Sequence, residues 1–148
     1  MFKCMQQRNI HILIVDDNKF YRQALVLTLR RLFQYCKIDE TCSAKESLCY
    51  IHQEIPDLVF MDIKMPEMDG ITATRKVLEI NDSIKIIALS MYDNSKYKND
   101  MILAGAKGFL LKNFETNELR EAIETVIHGG KYFSAKPSRN SSSKRWKM

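Results

Sequence analysis

Polar residues that could do chemistry together stand at the ends of four apolar runs in this 148-residue chain. Asn9-Ile-His-Ile-Leu-Ile-Val15 ends at Asp16-Asp17, and Leu58-Val-Phe-Met61 ends at Asp62. Ile84 to Leu89 ends at Ser90, and Phe109-Leu-Leu111 ends at Lys112. If these runs are strands of one parallel sheet, their C-terminal ends share an edge, where open α/β sheets hold their ligands. Three carboxylates gathered there repel one another. Two unit charges ~4 Å apart cost about 4 kcal/mol at an effective dielectric of ~20. Lys112 or a hard divalent cation must offset that cost. Magnesium commonly combines one or two carboxylates with waters and a phosphate oxygen. One or two carboxylates plus a substrate phosphate suit that ion well.

The elements that must position these groups follow from periodicity. Asn9–Val15, Leu58–Met61 and Ile84–Leu89 read as buried strands, and Ile38–Cys42, with its polar insertions, reads as an edge strand. Phe109–Leu111 is a fifth, short strand. Asp16-Asp17-Asn18 can cap a helix over 19–33, whose apolar residues, Phe20, Tyr21 and Leu27 among them, cover more than one face. Ser43-Ala-Lys-Glu46 matches a capping box and opens a helix to about Gln53. Pro66 and Gly70 force a loop after Asp62 before a helix over Ile71–Leu78. The polar stretch Tyr92–Asp100 leads into a weak helix over Lys96–Ala104, read as mobile. Leu119, Ala122, Ile123, Val126 and Ile127 make the helix over Thr116–His128 amphipathic, and Gly129-Gly130 ends it. Tyr132 and Phe133 are free to pack back. Five strands alternating with five helices predict a doubly wound parallel sheet with right-handed crossovers.

Bulk properties exclude several classes. Residues 136–148 hold Lys136, Arg139, Lys144, Arg145 and Lys147 and no acid, so 18 basic and 18 acidic side chains remain in residues 1–135. The net charge of +5 is therefore a basic tail, and it gives no argument for nucleic-acid binding by the folded part. No apolar run reaches bilayer length, and residues 1–8 lack a signal-peptide core, so a cytoplasmic location is expected with no membrane contact. Cys4, Cys36, Cys42 and Cys49 form no Cys-x-x-Cys pair and read as reduced, partly buried thiols. His11, His52 and His128 have no companions at ligand spacing and read as core or surface residues.

The acid pair Asp16-Asp17, Met-Asp62-Ile-Lys-Met-Pro-Glu-Met-Asp-Gly, Ile-Ile-Ala-Leu-Ser90 and Gly-Phe-Leu-Leu-Lys112 together resemble the receiver domain of two-component response regulators. The resemblance covers residues 9–130. It implies a flavodoxin-like fold with strand order 2-1-3-4-5. It implies that Asp62 accepts a phosphoryl group from a sensor histidine kinase. Asp17 and Asp62 would bind Mg2+ directly, Asp16 largely through water, and the Lys64 backbone carbonyl would be a further ligand. Lys112 would pair with phosphoryl oxygens, Ser90 would hydrogen-bond one of them, and Phe109 stands at the family's aromatic switch position. Asn113 follows Lys112 where the family commonly has Pro, so the 112–113 peptide is either a strained cis bond, at about 3–4 kcal/mol, or trans. The ending Ala122-Ile-Glu-Thr-Val-Ile-His-Gly-Gly-Lys-Tyr-Phe-Ser134 is similar to receivers of LuxR-type transcriptional regulators.

Three domains of behaviour are expected along the chain: an extension over 1–8, a receiver over 9–134, and a basic linker or tail over 135–148. A phosphoryl group on Asp62 would draw Ser90 and the loop after it, leaving space for Phe109. The output would be transcriptional, with DNA reached only through an output domain absent from this sequence, and with dimerisation through helix one or helix five. On this reading the chain is no enzyme beyond self-phosphorylation and slow autodephosphorylation. Two alternatives stand beside it: a magnesium-dependent aspartyl-phosphate phosphohydrolase, which would typically carry Asp-x-Asp where this chain has Asp62-Ile-Lys64, and a phosphorylation-independent interaction module.

Overall fold

The computed structural model describes residues 9–134. The strands are β1 (His11–Val15), β2 (Lys37–Thr41), β3 (Leu58–Asp62), β4 (Lys85–Ser90), β5 (Gly108–Leu111) and β6 (Tyr132–Phe133). The helices are α1 (Lys19–Leu32), α2 (Ala44–Gln53), α3 (Gly70–Ile80), α4 (Ser95–Ala104) and α5 (Thr116–Ile127). All pairings are parallel and the order is β2-β1-β3-β4-β5-β6. The expected order 2-1-3-4-5 is present, and β2 is the edge strand that its polar sequence predicted.

The sixth strand is the departure from five. Tyr132 pairs with Gly108 and Phe133 with Phe109, so the chain does pack back, and it does so as sheet. Gly129 makes this possible. At φ 94° it ends α5, and the Gly130 N–H bonds to the Thr125 carbonyl at 2.8 Å.

Strand alternation sends side chains to two cores. Ile12, Ile14, Phe60, Ile87, Leu89 and Leu110 meet Leu25 and Leu29 of α1 and Leu119, Ile123 and Val126 of α5. Leu13, Val15, Val59, Met61, Ile86, Ala88 and Phe109 meet Ile51 of α2, Ala73 and Val77 of α3 and Met101 of α4. Helices thus cover both faces, as buried parallel strands require.

Local signals behave as their chemistry dictates. Ser43 Oγ accepts from the Glu46 N–H at 3.0 Å, while Glu46 Oε1 accepts from the Cys42 N–H at 2.7 Å, one residue earlier than the ideal capping box. The weakly patterned α4 forms between an Asn94 cap and Gly105 at φ 111°, with only Met101 and Ala104 buried. On α1, Phe20 is 80% and Leu27 63% exposed, so its second apolar face is open to solvent among the described residues. Cys36 is buried, whereas Cys42 and Cys49 are exposed free thiols rather than partly buried ones. Cys4 and the basic tail lie outside the described residues. No helix among the described residues is long and apolar enough to cross a membrane.

Candidate functional site

Each strand end delivers its polar residue to one edge. Asp62 is the last residue of β3, Ser90 the last of β4, and Lys112 follows β5 directly. The C-terminal ends of β1, β3, β4 and β5 open into a cavity of about 310 Å3 lined by Asp17, Tyr21, Asp62, Lys64, Ser90 and Lys112, with Asn18, Met91 and Tyr92. Asp16 lies beneath it, fully buried.

Carboxylate oxygens of Asp16, Asp17 and Asp62 lie within 4.8 Å of one another. The Lys112 ammonium sits 2.7 Å from Asp16 Oδ2 and 3.3 Å from Asp62 Oδ1. Arg22 is close, but its Nη1 donates to the Asp16 backbone carbonyl and its Nε pairs with Glu40. Among the described residues, the Lys112 ammonium is thus the one paired with this set, and it meets two of the three carboxylates. The effect on Asp62 is large: burial, and then the Asp16 charge, push its pKa up from 3.8 to about 7, with Lys112 opposing the shift. Two buried carboxyls and the exposed Asp17, with surplus negative charge, have the donor chemistry of a hard divalent cation site.

Backbone geometry holds the set in place. Asp16 Oδ1 accepts from the Asn18 N–H at 2.8 Å, and Asn18 Oδ1 caps α1 through the Tyr21 N–H at 3.0 Å. After Asp62, the Gly70 N–H bonds to the Ile63 carbonyl at 2.7 Å. A Cβ on Gly70 would lie 2.0 Å from the Asp62 carbonyl oxygen, so only glycine lets α3 start this close to β3. Glu67, at φ 71°, centres a tight turn in which the Met68 N–H reaches the Pro66 carbonyl at 2.8 Å. A non-glycine residue in that region is strained, and it sits on the loop that frames Asp62. The Lys112–Asn113 peptide is trans.

Not every anticipated residue faces the cavity. Ser90 lines it, yet its hydroxyl donates to the Tyr92 carbonyl at 2.7 Å and accepts from the Tyr92 N–H at 3.0 Å. Lys64 lines it too, while its ammonium bonds to the Tyr97 hydroxyl of α4 at 3.0 Å. Phe109 is outside it, packed in the core at 1% exposure, with the Lys98 ammonium 5.5 Å from its ring centroid. Tyr21, read from the sequence only as part of an apolar face, lines the cavity. The available signal was its place three residues after the Asn18 cap, on the helical turn that faces the strand ends.

Comparison with known proteins gives a consistent picture. The family described as the response regulator receiver domain matches residues 12–124. The response regulator GacA of Pseudomonas protegens is 33% identical over 125 residues, covering 84% of this chain and 59% of that protein. This chain spans less than two thirds of the length of the curated relatives it matches. Among solved structures, a two-component response regulator of the LuxR family from Aurantimonas superposes with a TM-score of 0.80 at 28% identity, covering 84% of this chain and 89% of that one. A CheX–CheY–BeF3–Mg2+ complex from Borrelia burgdorferi gives a TM-score of 0.73 at 26% identity, covering 80% of this chain and 89% of that one.

Proposed function

Because the chain belongs to the response regulator receiver family, we propose that it is a phosphorylation-controlled switch in which Asp62 accepts a phosphoryl group from a sensor histidine kinase. The observation that carries this reading is the buried Asp62 carboxyl, grouped with Asp16 and Asp17 and paired, like Asp16, with the Lys112 ammonium. The receiver unit is residues 9–134, and 135–148 is a basic linker or tail.

The reaction follows from these groups. An ionised Asp62 oxygen attacks phosphorus. The bond from phosphorus to the donor's imidazole nitrogen, or to the leaving oxygen or nitrogen of a small donor, breaks as the acyl phosphate bond forms. The leaving group takes up a proton. Lys112, already between Asp16 and Asp62, favours ionised Asp62 and moves onto a phosphoryl oxygen as negative charge arrives. Asp16, Asp17, Asp62 and the Lys64 carbonyl would hold Mg2+, which supplies charge neutralisation when bound. The Borrelia burgdorferi complex, described with BeF3 and Mg2+, supports that assignment.

The switch needs Ser90 to leave its two bonds to Tyr92 and meet a phosphoryl oxygen. That exchange would move the loop leading into α4, the least buried helix. Phe109 would respond to the space so made. The relatives, one of them described as a transcriptional regulatory protein and both longer than this chain, support a transcriptional output through a further domain. Exposed Phe20 and Leu27 support self-association through α1.

Incubation with Mg2+ and acetyl phosphate or phosphoramidate tests the core of this reading. Intact mass should rise by one phosphoryl group, the label should be lost in Asp62→Asn, and chelation of Mg2+ should abolish it. Labelling that survives Asp62→Asn would sink the assignment.

A further inference from the structure

We propose that Tyr21 is a positioning residue that holds Lys112 in the phosphoryl-accepting site. The inference rests on the reading of Asp62 as acceptor and concerns a residue outside the carboxylate, hydroxyl and lysine set.

Two separate contacts join Tyr21 to Lys112, and they grip different parts of it. The Tyr21 hydroxyl donates to the Lys112 backbone carbonyl at 3.3 Å. The face of the ring lies 4.6 Å from the Lys112 ammonium. The hydroxyl therefore fixes where the side chain starts, and the ring covers where it ends. Asn113 has no pyrrolidine ring to restrict the backbone after Lys112. The peptide gripped by the hydroxyl is the one joining these two residues.

These contacts close a circuit around the site. Asp16 binds the Asn18 N–H, Asn18 binds the Tyr21 N–H, Tyr21 binds the Lys112 carbonyl, and the Lys112 ammonium returns to Asp16. The Tyr21 backbone is itself fixed by the helix cap, so its ring has a defined base. Burial, and then the negative charges of Asp16 and Asp62, hold the hydroxyl far above the usual tyrosine range. It stays protonated and remains a donor.

The consequence concerns Lys112 in motion. A lysine has a flexible four-carbon stem. To pass from the carboxylates to an arriving phosphoryl group it must reorient without leaving the edge. The aromatic face gives the ammonium a surface along which to move, and the anchored carbonyl keeps the stem within reach. A leucine at position 21 would keep an apolar side chain against the core but offer neither contact.

The test uses the full chain as Tyr21→Phe, Tyr21→Leu, Lys112→Ala and the Tyr21→Leu/Lys112→Ala pair, labelled with phosphoramidate at saturating Mg2+. Tyr21→Phe should slow labelling about fivefold, the value of one hydrogen bond. Tyr21→Leu should slow it about thirtyfold, as both contacts go, with half-saturation by Mg2+ unchanged. In the Lys112→Ala background Tyr21→Leu should add less than about twofold, because the hydroxyl still meets the carbonyl of residue 112 but no ammonium is left for it to position. Equal slowing in both backgrounds, or wild-type labelling in Tyr21→Leu, would overturn the proposal. If Tyr21→Leu does not fold, the cycle of Tyr21→Phe with Lys112→Ala decides by the same criterion. If the wild type takes no label, the acceptor reading has failed. The contact between the Tyr21 ring and the Lys112 ammonium is then read from urea unfolding of the Tyr21→Leu and Lys112→Ala cycle, where additive effects would refute it and coupled effects support it.

Discussion

At the N-terminal edge of the sheet, His11 of β1 reaches Asp39 of β2 at 3.2 Å and Glu54 after α2 at 3.8 Å. These three residues could also gather a metal ion, as Asp16, Asp17 and Asp62 could at the opposite edge. The electrostatics differ. Lys37 pairs with Glu54, the Tyr50 hydroxyl donates to Asp39, and the side chains of Asp39 and Glu54 are 37% and 45% exposed. The Tyr50 hydrogen bond, helped by one from His11, holds Asp39 below its usual pKa. At the C-terminal edge the carboxyls of Asp16 and Asp62 are buried, the Lys112 ammonium is the one paired with them among the described residues, Asp17 adds a third acid, and Asp62 is pushed up to about 7. The first cluster is a balanced brace between β1, β2 and α2. The second is left short of positive charge, and a residue in that state marks a candidate functional site.

The largest expected effect breaks the backbone of the second cluster alone. Gly70→Ala places a Cβ 2.0 Å from the Asp62 carbonyl. It should cost about 3 kcal/mol in urea unfolding and depress phosphoryl labelling. A neutral result would mean that the β3–α3 loop shifts freely and does not hold Asp62.

Next comes a substitution that should stabilise. Asp62 has a folded pKa above its unfolded value of 3.8, so its stabilising contribution is present below that value and is lost as pH rises through about 7. Asp62→Asn should therefore raise the unfolding free energy of the metal-free protein by about 2 kcal/mol at pH 8. The gain should shrink as pH falls from 7 towards 4. A loss of stability at pH 8 would mean that the site is compensated after all.

The smallest effect belongs to the brace. Tyr50→Phe removes one hydrogen bond to Asp39 and should cost about 1 kcal/mol, leaving labelling at wild-type rate. Asp39 has a lowered pKa, so its contribution holds above the unfolded value and fades as pH falls through the folded one. That is the opposite sign to Asp62. A change in labelling with Tyr50→Phe would erase the functional contrast between the two edges.

The residues of the site were legible because each ends a strong period-two or buried run: Asp62 after Leu58–Met61, Ser90 after Ile84–Leu89. Helix starts were legible through caps such as Ser43 and Asn18. β6 was not, since two residues carry no period and Tyr132–Phe133 pair only through the distant Gly108 and Phe109. Tyr21 was hidden for another reason. Its ring joins the apolar pattern of α1, and its role depends on a contact 91 residues away. The N-terminal brace escaped notice similarly, because His11, Asp39 and Glu54 have no ligand spacing and meet only through strand register.

The contrast between the edges, and with it the reading of Asp62, is tested most directly by a Mg2+ titration followed through backbone amide shifts. Saturable shifts are predicted at residues 16–18 and 62–64, absent in Asp62→Asn, with residues 11, 39 and 54 unmoved. Saturable shifts at residues 11, 39 and 54, or shifts at 16–18 that persist in Asp62→Asn, would contradict it.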